Sequence, residues 1–152
     1  MPFSLIVFDL DFTLWNAGGT WCDHTSPPYR QVNNHVLDSE NNAIFLYPDV
    51  RSLLKDLQED YSLAIASRTH RPEWARELLQ LLEVNTYFSY QEIYPGSKTE
   101  HFHQLQHRTD LPFKEMLFFD DEIRNVNDVA RLGVTAVLAD EGITQKLVFR
   151  YL

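Results

Sequence analysis

The sequence predicts an α/β fold, a three-layer sandwich with a central parallel sheet. Two observations carry this. Short apolar runs rich in β-formers recur at Leu5–Phe8, Leu63–Ala66, Met116–Phe119 and Val134–Leu138. Between them lie stretches whose apolar residues fall at helical spacing. Strands alternating with helices form βαβ units, and these stack into a parallel sheet covered on both faces.

The elements follow in order. Leu5-Ile6-Val7-Phe8 is continuous in apolar character, as a buried strand should be. An irregular stretch, 15–46, comes next, with Gly18-Gly19 and Pro27-Pro28. Within it Asp38-Ser39-Glu40-Asn41-Asn42 is turn chemistry, so 31–36 and 43–46 are expected to pair as a β-hairpin. A helix is expected over 49–60, started near Pro48 and lined by Val50, Leu53, Leu54 and Leu57. After the strand at Leu63–Ala66, a second helix over 72–82 places Trp74, Leu78, Leu79 and Leu82 on one face. Residues 87–93 are expected to be extended. Residues 98–107 form a helix with Phe102 and Leu105 inward. A helix through Val126, Val129 and Leu132 stops at Gly133, where glycine suits a left-handed terminus. Residues 144–151 complete the pattern as a terminal helix. The 152 residues fit one domain, 1–152.

The net charge of −9, with no run of basic residues, argues against a nucleic-acid surface. An anionic substrate then requires a local cationic pocket or a metal. Cys22 is the only cysteine, which rules out an intramolecular disulfide and points to a reducing compartment. No thiol-enzyme signature surrounds it, so a structural role is expected. No segment approaches the roughly 18 apolar residues of a membrane span. A cytoplasmic protein without a membrane partner is expected.

In doubly wound sheets ligands bind beyond the carboxyl ends of the strands. Those ends carry Asp9 and Asp11 after the first strand, Ser67-Arg68-Thr69 after the second, and Asp120-Asp121 after Met116–Phe119. Lys98 follows Pro95-Gly96-Ser97, where a loop enters a helix. Each has a plain structural explanation on its own: Ser67 as a helix cap, Lys98 as a solvated helix residue, Asp120-Asp121 as acids favoured by a helix dipole. Their occurrence together at successive strand ends is harder to explain that way. The set suits phosphoryl transfer: a carboxylate nucleophile, a second carboxyl for proton transfer, a hydroxyl donor, a cation and paired acids for a metal.

Asp9-Leu10-Asp11-Phe12-Thr13, Ser67, Lys98 and Asp120-Asp121 resemble the four ordered motifs of the haloacid dehalogenase superfamily. Thr13-Leu14-Trp15, Ala66-Ser67-Arg68-Thr69, Glu92 through Lys98 and Phe118 through Glu122 with Arg124-Asn125 are similar to stretches of its eukaryotic-type magnesium-dependent phosphatases. The resemblance spans nearly the whole chain and is weakest between Asn16 and Asn42. It implies a Rossmann-like fold and an aspartyl-phosphate on Asp9, with Asp11 as general acid and then base. Ser67, Arg68 and Lys98 would bind substrate. Mg2+ would be held by Asp9, the Asp11 main-chain carbonyl and Asp121, with Asp120 and Asn125 supporting from behind. An oxygen-only donor set is what magnesium prefers.

Asp11 favours phosphate esters over halides, because an alkoxide leaves poorly without protonation. No cap domain fits in the 31 positions from Ser67 to Lys98. Residues 15–46 are therefore expected to be a β-hairpin flap, with Trp21, Asp23, His24 and Tyr29 at the entrance. Substrates open to such a site are a phosphotyrosine-like aryl phosphate, on a small molecule or a protein side chain, and a phosphorylated sugar or glycated amine. A catalytically silent binding domain of the same fold and a phosphotransferase are the alternatives.

Overall fold

The computed structural model describes residues 2–152. The first half contains β1 (Leu5–Phe8), β2 (Trp15–Asn16), β3 (Arg30–Val32), β4 (His35–Leu37), β5 (Ala43–Leu46) and α1 (Val50–Leu57). Then follow β6 (Ser62–Ser67), α2 (Pro72–Leu81), β7 (Tyr90–Ile93), α3 (Lys98–Thr109), β8 (Met116–Asp120), α4 (Ile123–Ala130), β9 (Thr135–Leu138) and α5 (Gln145–Phe149).

Five strands form a parallel sheet in the order β7-β6-β1-β8-β9. The chain starts at the centre, builds outward through β6 and β7, then crosses back to β8 and β9. The strand order therefore switches beside β1, where a crevice opens past the carboxyl ends. Leu5 pairs with both Ser62 and Met116, so β1 and its two neighbours run level. Asp9 extends this ladder, its N–H donating to Phe119 O at 3.1 Å.

Period-two alternation divides the sheet residues between two cores. Ile6, Phe8, Leu63, Ile65, Leu117 and Phe119 belong to a cluster with residues of α1, α2 and α5. Leu5, Val7, Ala64, Ala66, Met116 and Phe118 belong to a second with residues of α3 and α4. Strands buried on both faces read as unbroken apolar runs for this reason. Phe8 stacks on Phe119 with ring centroids 5.9 Å apart, and burying each such side chain contributes about 1.5–3 kcal/mol.

The helices end where local chemistry stops them. Ser97 Oγ accepts from Thr99 N at 3.2 Å and caps α3, which stops at Asp110 in the left-handed region (φ 59°). Thr144 Oγ1 accepts from Leu147 N at 3.1 Å to cap α5. α1 ends at Leu57, short of the expected Asp60.

A small antiparallel sheet, ordered β2-β5-β4-β3, follows the first strand. The expected pairing across Asp38–Asn42 is present, with Val36 opposite Ile44. Asp38 is its knot: Oδ1 accepts from Glu40 N and Asn42 N, and Oδ2 accepts from Ser26 N and Asn42 Nδ2. Burial opposes ionisation of Asp38, but these donors outweigh it and hold its pKa below the usual value. Residues 31–36, expected to be one strand, instead turn at Asn33-Asn34, with Val32 paired to His35 and Asn33 at φ 56°. Asparagine tolerates that left-handed backbone. Residues 87–93 likewise divide into a short 3-10 turn, Asn85–Tyr87, and β7.

Candidate active site

Asp9 emerges from β1 and the chain folds back at once. Leu10 O accepts from Thr13, Leu14 and Trp15 N–H groups, and Phe12, at φ 63°, donates its N–H to Trp15 O at 2.8 Å. The turn carries Asp11 to the same cleft as Asp9, a cavity of about 200 Å³ beyond the carboxyl ends of β1 and β6.

The two carboxyl groups have different surroundings. Asp9 Oδ1 accepts from Lys98 Nζ at 2.9 Å and Oδ2 from Thr13 Oγ1 at 3.3 Å. Asp11 Oδ1 accepts from Trp15 Nε1 at 2.7 Å and Cys22 N at 2.9 Å, which leaves Oδ2 to carry a proton. Burial raises the pKa of Asp11 to about 7; the Asp9 charge adds to the rise, and the Trp15 and Cys22 donors only partly offset it. Two carboxyl groups in such unlike surroundings could divide the work of nucleophile and acid between them.

Lys98, buried in the first turn of α3, connects three strands. Its Nζ donates to Asp9 Oδ1 at 2.9 Å, Ala66 O at 2.6 Å and Asp120 Oδ2 at 2.9 Å. Three N–H donors meet three acceptors, so the ammonium is saturated. Burial alone would lower its pKa, but Asp9 and Asp120 raise it above the ordinary lysine value. His101, one helical turn on, lies among main-chain carbonyls, with Nε2 2.8 Å from both Ser67 O and Tyr94 O and Nδ1 2.9 Å from Ser97 O.

Asp9, Asp120 and Asp121 each place a carboxylate oxygen within 4.8 Å of the others. One ammonium against three acids leaves the cluster short of positive charge. Burial first, and then the neighbouring Asp9, raise the pKa of Asp121. An all-oxygen, electron-rich donor set fits a hard divalent cation such as magnesium. Both oxygens of Asp120 are engaged, by Lys98 Nζ and by Glu122 N at 2.9 Å. Asp121 lines the cleft with Asp9. Those two are the carboxylates that could hold the metal directly.

Asp9, Asp11, Ser67, Arg68, Lys98, Asp121 and Trp21 all line the one cleft, as do Asp23, His24 and Asn125. Arg68 is steadied by Asn125, its Nη1 donating to Asn125 Oδ1 at 3.1 Å. Tyr29 is a correction: it is buried in the core, its hydroxyl 2.6 Å from Thr25 Oγ1, and does not border the cleft. Aromatic character in a loop does not distinguish a residue that packs under it from one that faces out. Cys22 is buried; loss of solvation pushes its thiol pKa up, and Sγ sits 3.5 Å from Thr69 Oγ1.

The structure adds Thr13, Thr69, His70, Glu122 and Arg124 to the site or its edge. It also gives Trp15 and the Cys22 main chain a role in holding Asp11. Thr13 and Trp15 were within reach of the sequence, lying two and four residues beyond Asp11 in a turn. The Cys22 N–H carries no sequence signal.

A family model described as Acid Phosphatase matches residues 2–152. The chain belongs to this family. Its relatives include human magnesium-dependent phosphatase 1, 46% identical over 143 residues that cover 92% of this chain and 80% of that one. A HAD-like hydrolase superfamily protein of Schizosaccharomyces pombe is 36% identical over 144 residues, covering 86% and 81%. Among solved structures, a haloacid dehalogenase-like hydrolase from Streptococcus pneumoniae superposes with a TM-score of 0.71 at 15% identity, covering 99% and 98%. A HAD family enzyme from Bacteroides thetaiotaomicron, solved as a magnesium complex, gives 0.68 at 16%, covering 99% and 100%. The family member described here is thus a phosphatase of the haloacid dehalogenase superfamily. Among its described residues no helix is long and apolar enough to cross a membrane.

Proposed function

We propose that this phosphatase hydrolyses phosphate monoesters through an aspartyl-phosphate on Asp9, with Asp11 as general acid and base. The observation that carries the reading is the pair of unlike carboxyl groups in one cleft: Asp9 against Lys98, Asp11 buried with its pKa near 7. Asp9 attacks phosphorus, the bond to the ester oxygen breaks, and the departing oxygen takes the Asp11 proton. Water then attacks the acyl phosphate and gives its proton to Asp11, and the bond to Asp9 breaks. Inorganic phosphate leaves with both carboxyl groups restored. The Ser67 hydroxyl and Arg68 bind the phosphoryl oxygens, and Lys98 holds Asp9 in line. Magnesium, held by Asp9, Asp121 and the Asp11 main-chain carbonyl, would supply charge neutralisation for the phosphoryl group. Hydrolysis of a chromogenic aryl phosphate, with and without magnesium, tests the reading.

Chelation is expected to abolish activity and magnesium to restore it, whereas calcium inhibits. Calcium accepts more ligands at longer distances and fixes carboxylates less firmly than magnesium's octahedral shell. Equal rates with the two ions would contradict this.

The leaving group is an aryl or sugar-like alcohol, in keeping with an entrance bordered by an indole. Trp21 is 48% exposed, in edge contact with Phe12 at 6.1 Å and His24 at 5.5 Å. Such a ring offers a face to an aryl or sugar ring and contributes little to the core. Trp21→Ala should lower kcat/KM unequally, aryl esters more than small alkyl phosphates, with little change in Tm. A uniform loss with a lower Tm would instead make the residue structural.

A further inference from the structure

Two side chains of α3 meet the end of β6 at consecutive peptides. Lys98 Nζ donates to Ala66 O at 2.6 Å, and His101 Nε2 lies 2.8 Å from the next carbonyl, Ser67 O. Residues three apart on a helix share a face, so one face of α3 grips both. The mechanism uses Lys98 and leaves His101 without a part. Its ring is fully buried and stacks on Tyr94, with centroids 4.3 Å apart and planes 8° from parallel.

Ser67 is where such a grip matters. It is the last residue of β6, and its pairing with β7 ends as Tyr94 N donates to Ser67 O at 3.0 Å. Its side chain lines the cleft, and Oγ accepts from Thr69 N at 3.3 Å, so the hydroxyl keeps its own proton to give. His101 Nε2 is also 2.8 Å from Tyr94 O, so one ring nitrogen ties the ends of β6 and β7 together. Burial pulls the ring's pKa below the ordinary histidine value; the carbonyls pull the other way, and the Lys98 charge sides with burial. The neutral ring has one N–H. It belongs on Nε2, which faces two carbonyls, whereas Nδ1 faces one, Ser97 O at 2.9 Å.

We propose that His101 is a positioning residue for phosphate binding: its Nε2–H fixes the Ser67 main chain so that the Ser67 hydroxyl is presented to a phosphoryl oxygen. The inference rests on the role given to Ser67 above. His101 touches neither substrate nor metal and acts through Ser67 alone. Binding groups gain from being held in place before the ligand arrives, and a strand's last residue lacks a further ladder bond to do this. The ring supplies that bond from the neighbouring helix.

The test measures binding of inorganic phosphate to the magnesium-loaded protein by calorimetry, in a double-mutant cycle with Ser67→Ala. His101→Asn, whose amide stops short of the Nε2 position, should weaken phosphate binding by about 3- to 10-fold, the scale of a neutral hydrogen bond. His101→Gln, whose amide reaches it, should restore binding. In the Ser67→Ala background His101→Asn should add nothing. Because Ser67 meets the phosphoryl group and not the alcohol, KM for aryl and alkyl esters should rise by the same factor in His101→Asn, with little change in kcat. Unchanged affinity in folded His101→Asn, or losses that simply add in the double variant, overturn the proposal and leave hydrolysis through Asp9 intact. A check independent of any variant's folding is the side-chain nitrogen NMR spectrum of the wild type, which should show the His101 proton on Nε2; a proton on Nδ1 overturns the proposal. A wild-type protein that binds no phosphate removes the Ser67 role and this proposal together, while ester hydrolysis, measured separately, decides the reading of Asp9 and Asp11.

Discussion

Asp9→Asn is expected to give a folded protein with essentially no turnover. The amide still offers an oxygen to the Lys98 ammonium, which the Asp9 carboxylate meets at 2.9 Å, and the change removes one of three crowded negative charges. The fold should therefore hold. The chemistry should not, because an amide is a poor nucleophile. The loss should be on the order of 10⁶-fold, as when the nucleophile of a catalytic unit is deleted. Steady-state rates and circular dichroism together check this. Near-normal turnover in a folded variant would remove Asp9 from the mechanism.

Asp11→Asn should reduce turnover by about 10²- to 10⁴-fold, the range of a positioned acid–base group. Its character should differ from that of Asp9→Asn. An activated aryl ester needs little proton assistance to leave, so the first step should survive and release about one equivalent of phenolate as a burst. The second step, deprived of its base, should then be slow. The pH profile gives a second check. The acid works only while protonated, and burial keeps the Asp11 proton on up to about pH 7. Rates on alkyl phosphates should therefore be sustained below that pH and fall as it is passed. In the variant this descending limb should vanish. Absence of a burst, or an unchanged limb, would assign the proton transfer to another group.

Much of this arrangement was legible because it is local or periodic. The apolar runs at Leu5–Phe8, Leu63–Ala66 and Met116–Phe119 gave strands because residues buried on both faces leave no polar alternation. The polar residues that follow them reach one crevice because level parallel strands end together. The hairpin around Asp38 was visible for a comparable reason, since one aspartate side chain can organise its own turn. The turn at Asn33-Asn34 was hidden, because polar residues inside a short half-exposed strand and inside a tight turn look alike. Tyr29 shows the deeper limit. Nothing in its neighbourhood in sequence says that it will pack in the core while Trp21, Asp23 and His24, expected at the same entrance, do line the cleft.

The saturation of Lys98 bears on which sequence changes the site can survive. A point charge with three tetrahedrally arranged donors serves acceptors on β1, β6 and β8 from within a sealed space. Arginine preserves the charge but spreads its donors over a flat, larger fork that fits paired oxygens in one plane. It would have to displace the strand ends or abandon one of them. Because Ala66 contributes through its main chain, no compensating substitution at that position can rebuild the lost acceptor. The lysine is thus fixed by shape as well as by charge, and drift that keeps the electrostatics of this cleft constant can still dismantle it.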